Sequence, residues 1–227
     1  GLKIMSYTVE LKLKPETYQQ FQNIHTKLNN NDREPQSKYL GDNISNIACE
    51  LIDQAFGSLV NQSSSKDGDS EKVLKQVKDA ITKYMPWSVS FFGNDRLLPM
   101  VNHVNGLMKR KNDQGYITYP VDKVVVEELL GCAEQLKQGN TAYVKPGLKA
   151  FTQVVDQGVT SLIREPKKLL KFNMVVNKTL DGVISLTTGI GYKRFDKLSS
   201  IYDAQTIGKY FDHFVAFLDK GDNNKAS

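Results

Sequence analysis

The sequence predicts a mainly helical fold that opens with a strand-helix-helix unit and continues as a helical bundle, with room for a small β-sheet. Three observations carry this. Residues 7–14 alternate, with Tyr7, Val9, Leu11 and Leu13 on one side and Thr8, Glu10, Lys12 and Lys14 on the other, the two-residue period of a half-buried strand. Most of the remaining chain repeats its apolar residues every three or four positions, most regularly at Ile44, Ile47, Leu51, Ala55, Phe56 and Leu59. With 40% hydrophobic and 24% charged residues among 227, the chain has the composition of a packed globular protein.

Pro15 and Glu16 open the first helix, because proline loses no hydrogen bond at the first helical position and an acid favours the positive end of the helix dipole. Tyr18, Phe21, Ile24 and Leu28 are its apolar stripe, and it ends in the polar run from Asn29 to Asp32. After Gly41, Asp42 or Asn43 can cap the second helix. The polar run from Asn61 to Ser70 reads as a linker. A third helix then follows through Val73, Leu74, Val77, Ile81 and Tyr84 until Pro86 stops it.

Trp87 to Phe92 and Tyr116 to Tyr119 are short strand candidates around a helix with Leu97, Val101, Val104 and Met108 on its apolar face. From Val121 onward the pattern is helical, with segments ending near Lys137, spanning about Pro146 to Ile163, starting at Pro166, and spanning about Ala204 to Leu218. The segment from Pro166 is unusual, since its β-branched run carries Gly182, Gly189 and Gly191, and a break near Gly189 is expected. These boundaries divide the chain into a strand-helix-helix unit over 5–62 and a helical bundle over 70–219.

The residue types of catalysis and metal binding are sparse. The three histidines include no pair at metal-binding spacing, with His25 in an apolar stripe and His103 and His213 on helix flanks. The acidic run from Asp67 to Glu71 lacks the glycine and the bidentate acid of a calcium loop. Gly208-Lys209 and Gly189-Ile190-Gly191 lack the remaining residues of phosphate-cradling loops. Cys132 could act as a nucleophile only beside a distant histidine. No catalytic residue, metal site or cofactor is expected, although a pocket between the bundle helices would suit an enzyme.

Cys49 and Cys132 both sit in apolar helical patterns, which suggests buried thiols and a cytoplasmic protein, and no run is apolar enough to span a membrane. The net charge of +5 is small, yet the window from Lys145 to Lys197 holds ten basic and four acidic residues. Arg164, Lys167, Lys168, Lys171, Lys178, Lys193, Arg194 and Lys197 could form a basic patch there for phosphates or an acidic partner.

A lone strand is not stable, so residues 7–14 must pair with Trp87 to Phe92, with Tyr116 to Tyr119, or with the same strand of a second chain. The last option resembles the ribbon-helix-helix family of dimeric DNA-binding proteins. Its matching residues are Val9-Glu10-Leu11-Lys12-Leu13-Lys14-Pro15-Glu16, then Phe21, Ile24 and Leu28, then Asn43-Ile44-Ser45-Asn46-Ile47-Ala48 with Glu50-Leu51-Ile52 and Ala55-Phe56. The resemblance covers about a quarter of the chain. The connection from Asn30 to Gly41 is longer than that family's usual turn, and Glu10 places an acid on the reading face.

The resemblance implies a homodimer whose Thr8, Glu10 and Lys12 face DNA bases, with Lys14 near the backbone and the amides around Asn43 and Ser45 holding phosphate. The function expected from it is DNA binding in a regulator of transcription or of a mobile element. The alternative is a non-catalytic helical interaction module whose basic stretch from Lys167 to Lys178 docks an acidic protein or a membrane surface.

Overall fold

A computed structural model of the chain describes residues 7–61 and 68–219. In order, the elements are β1 (Tyr7–Lys12), α1 (Pro15–Asn29), α2 (Ser37–Asn61), α3 (Gly68–Val89), α4 (Asn94–Asn105), β2 (Met108–Lys111), β3 (Gln114–Val121), α5 (Lys123–Lys137), α6 (Val144–Val159), α7 (Glu165–Leu170), α8 (Met174–Lys197), α9 (Ala204–Val215) and β4 (Leu218–Asp219). The fold is mainly helical around one small antiparallel sheet of order β2-β3-β1-β4. A π-helical turn, Thr160–Arg164, joins α6 to α7.

β1 finds its partners inside the chain, on both edges. On one side Val9 faces Tyr119 and Leu11 faces Ile117 of β3, so the apolar faces of the two strands coincide. On the other, Thr8 and Val9 pair with β4, the Glu10 amide donates to the Phe217 carbonyl at 2.8 Å, and the Gln54 side chain of α2 both accepts from the Lys12 amide (2.9 Å) and donates to its carbonyl (3.1 Å). The expected ribbon with a second chain is therefore not formed by this strand, because the backbone groups that would make it are already used.

The hairpin between β2 and β3 turns on Asn112 and Asp113, both in the left-handed region at φ 49° and 64°, as a two-residue hairpin loop requires. Met108 thus begins a strand rather than closing α4, which stops at Asn105. Of the two strand candidates, Tyr116 to Tyr119 lies within β3, whereas Trp87 to Val89 is the last turn of α3. Pro86 does not stop that helix. Gly41 of α2 lets the two helices approach so closely that a Cβ there would lie 2.9 Å from the Pro86 Cα, and Trp87 stacks edge-on with Tyr84 and Phe91.

α1 starts at Pro15 as expected, and Glu50 of α2 holds its first turn by accepting from the Lys14 amide (2.8 Å) and the Thr17 hydroxyl (2.6 Å). α2 begins at Ser37, before Gly41, with the Gln36 carbonyl accepting from the Leu40 amide. α8 runs unbroken through Gly189 and Gly191. The break falls earlier, at Lys171, whose φ of 51° separates α7 from α8. Of the expected linker, residues 68–70 belong to α3 and residues 62–67 lie outside the described ones.

Buried apolar residues from both 7–59 and 89–214 fall in one cluster, from Val9 and Phe21 through Leu51 to Leu129, Phe151 and Phe211. The expected units at 5–62 and 70–219 thus share one core, fastened by β1 between β3 and β4 and by the Tyr210 hydroxyl donating to the Ala55 carbonyl at 2.9 Å.

A candidate apolar-ligand cavity

The apolar stripes of α2 and α3 face each other and are roofed by α8, while the α6 end, the π turn and the buried face of the sheet close the base. These walls line a half-open cavity of about 360 Å³. Ordinary interiors leave few voids larger than a water molecule, and small-molecule sites begin at roughly 300 Å³. The wall is almost wholly apolar, with Ile44 and Phe56 from α2, Leu74 and Val77 from α3, and Leu162 and Ile184 from the π turn and α8.

The roof explains the space. Among cavity-facing residues of α8, Thr187, Thr188 and Gly191 supply little volume, and a Cβ on Gly191 would meet nothing within 4 Å. Polar links at three points hold α8 over the space. Lys167 of α7 pairs with Asp181 at 2.8 Å and also donates to Asn177. The Tyr192 hydroxyl donates to Asp156 of α6 at 2.6 Å, and the Arg194 Nε donates to the Ser70 hydroxyl of α3 at 2.7 Å.

Arg164 of the π turn completes the middle link, donating to the same Asp156 oxygen at 3.0 Å and to Thr160 at 2.8 Å. Burial pushes the Asp156 carboxyl up, but the hydrogen bonds from Arg164 and Tyr192 outweigh it, and the group is held below its ordinary value. The Tyr192 hydroxyl is pushed up, first by burial and then by the Asp156 carboxylate that accepts its hydrogen bond, and so stays protonated.

One polar group stands deep in the apolar wall. Tyr119 of β3 is 5% exposed, and its ring end packs over Gly158, whose missing Cβ would lie 2.8 Å from Cζ and 3.1 Å from the hydroxyl oxygen. Among the described residues that hydroxyl has no hydrogen-bond partner, and burial alone raises its ionisation far above the usual tyrosine range. Tyr210, equally buried, donates to Ala55 instead.

The residues expected to contact DNA fall in two separate places. Thr8, Glu10 and Lys12 share the outer face of the sheet, where Glu10 pairs with Lys109 and with Lys111 (3.1 Å). The Lys14 amide is taken by Glu50. Asn43 and Ser45 are buried, at 1% and 5% exposure, within the body of α2, so their amides are not a helix terminus open to phosphate. Helix α2 starts too early for the expected phosphate site.

The expected basic patch also divides. Arg164, Lys167 and Arg194 point into partners on the protein, Asp156, Asp181 and Ser70, whereas Lys168, paired with Glu165 at the surface, and Lys171, Lys178, Lys193 and Lys197 are exposed. Neither cysteine and no histidine is among the residues lining the cavity. Cys132 is buried and Cys49 half-buried, and burial pushes both thiols up. Among the described residues no cluster of three or more His, Cys, Asp or Glu could hold a metal, and no helix is long and apolar enough to cross a membrane.

The sequence signalled part of this site. The glycine-rich, β-branched run of α8 marked that helix as unusual, and the stripes of α2 and α3 became walls of the cavity. Tyr119 was legible only as a strand residue, because period-two alternation tells which face a side chain takes and not what that face meets. Comparison of the chain with protein-family models, with curated proteins and with solved structures finds no match.

Proposed function

We propose that this protein is a non-catalytic binding protein that houses a small apolar or lipid-like molecule between α2, α3 and α8. The observation that carries the reading is a cavity of about 360 Å³ whose walls are apolar nearly throughout, under a helix held by polar links and by packing near its two ends. Transfer of a ligand from water into such a space is favoured by roughly 0.8 kcal/mol per buried methylene, before the cost of immobilising it. Among the described residues the wall offers no nucleophile-base pair, which favours binding over turnover.

The test is a titration with Nile red, an uncharged dye whose emission shifts to the blue in apolar surroundings. Wild-type protein is expected to saturate at one dye per chain. Gly191→Leu, which places an isobutyl group in the cavity, is expected to bind at least about tenfold more weakly while still unfolding cooperatively. No saturable binding by the wild type, or equal binding by the filled variant, would contradict the reading.

A second reading rests on a separate observation at the α7–α8 corner. There Leu169, Met174 and Val175 are 37%, 71% and 74% exposed, beside the exposed Lys168, Lys171 and Lys178. Apolar side chains ringed by lysines suit an anionic membrane surface. Sedimentation with vesicles containing phosphatidylglycerol, lost in 0.5 M salt and in a Met174→Ser, Val175→Ser variant, supports it. Equal sedimentation with neutral phosphatidylcholine vesicles refutes it.

A further inference from the structure

We infer that Tyr119 is the polar anchor of the cavity, and that the ligand is a neutral lipid-like molecule whose ketone, ester or alcohol oxygen is buried against the Tyr119 hydroxyl. This rests on the apolar-ligand reading and narrows it to a chemical class. A hydroxyl that opens only on an apolar cavity is costly to leave unpaired, which is why most polar groups inside proteins have partners. Tyr119 is 5% exposed, lines the cavity, and has no hydrogen-bond partner among the described residues. A phenylalanine would fill the same volume without leaving a hydroxyl unpaired.

The surroundings argue for an uncharged group. Gly158 lies directly against the hydroxyl end, and Val155 and Leu162, three residues before it and four after, line the cavity with it. A carboxylate placed there would be desolvated with no cation to face. The two cations on the cavity wall are already engaged, Lys167 by Asp181 at 2.8 Å and Arg194 by Ser70 at 2.7 Å. A carbonyl oxygen accepts the one hydrogen bond that Tyr119 can donate, and a ligand hydroxyl can either accept or donate there.

The experiment measures displacement of Nile red by 2-dodecanone, dodecane and dodecanoate at pH 8, corrected for each variant's own dye affinity. In the wild type the ketone is expected to compete about tenfold better than the alkane and better than the carboxylate. In Tyr119→Phe the ketone-to-alkane ratio is expected to fall within about twofold.

A second readout does not depend on the affinity of the variant. The infrared carbonyl stretch of bound 2-dodecanone should lie below its position in hexane for the wild type and return to it in Tyr119→Phe. If the dye never saturates, the apolar-ligand reading fails and Tyr119 loses its role with it. If dye and dodecane compete but the ketone shows no advantage, if the carboxylate binds best, or if the carbonyl stretch is unshifted, the anchor fails while the cavity stands.

Discussion

Where α5, α6 and α9 meet, Phe151 is fully buried and its ring touches Tyr210, Phe211, Phe214 and Phe195 at centroid distances of 5.0 to 5.5 Å. Where α2, α3 and α8 meet, equally apolar faces leave about 360 Å³ unfilled. The two regions differ in side-chain volume and in how glycine is used. Gly147 and Gly208 sit where a Cβ would come within 2.9 Å of Phe211 and of the Lys137 amide nitrogen, whereas a Cβ on Gly191, which lines the cavity from α8, would meet nothing within 4 Å. Hydrophobicity brings faces together, but only matched volume closes the gap between them.

The largest effect belongs to the filled region. Phe151→Ala is expected to cost about 3–5 kcal/mol in urea unfolding, because five aromatic rings lose a shared partner and cannot collapse into the space. A matched pair of alanines then sharpens the contrast. Gly208→Ala should destabilise by about 1–3 kcal/mol, since its Cβ meets backbone, while Gly191→Ala should be neutral or stabilise by up to about 1 kcal/mol through helix propensity. Equal losses in thermal melts of the two variants would mean that α8 is packed as tightly as α9.

The smallest effect concerns the middle link of the roof. Because the folded Asp156 carboxyl is held below its ordinary value of 3.8, its pairing with Arg164 and Tyr192 contributes stability that is complete above that value and lost as pH falls through the lowered one. The group is partly exposed, so the contribution stays below about 1 kcal/mol. Wild type should exceed Asp156→Asn in melting temperature by a constant amount at neutral pH, and the gap should close only in acid below pH 3.8. A gap that persists there would place the effect in packing instead of charge.

Much of the fold was legible from pattern alone, for identifiable reasons. Alternation at residues 7–14, Pro15 at the start of α1, and the stripes of α1 and α2 each reflect a local rule that the packed structure obeys. The failures share a cause, which is a distant contact overruling a local signal. Gly41 and Pro86 read as a helix start and a helix stop, yet each lies inside a helix because they meet each other. Asn112-Asp113 lacks a glycine and so hid the hairpin. The strand partners of β1 lie 104 or more positions away, from Lys12 opposite Tyr116 upward, which no neighbouring residue could announce.

The cavity was less legible than the fold. A stripe such as Ile44, Leu51 and Phe56 shows that a face is apolar, not whether its opposite face carries enough volume to fill it. The one available sign lay in α8, where glycine and threonine stand at positions that a packed helix would give to leucine or phenylalanine.

The most direct test of the contrast is a methyl NMR titration of the wild-type protein with 2-dodecanone. An open cavity beside a filled core predicts that methyls of Ile44, Ile52, Leu74 and Ile184 shift and saturate together, while those of Leu129, Leu136 and Leu148 stay in place. Shifts spread evenly over both groups, or none at any concentration, would contradict it.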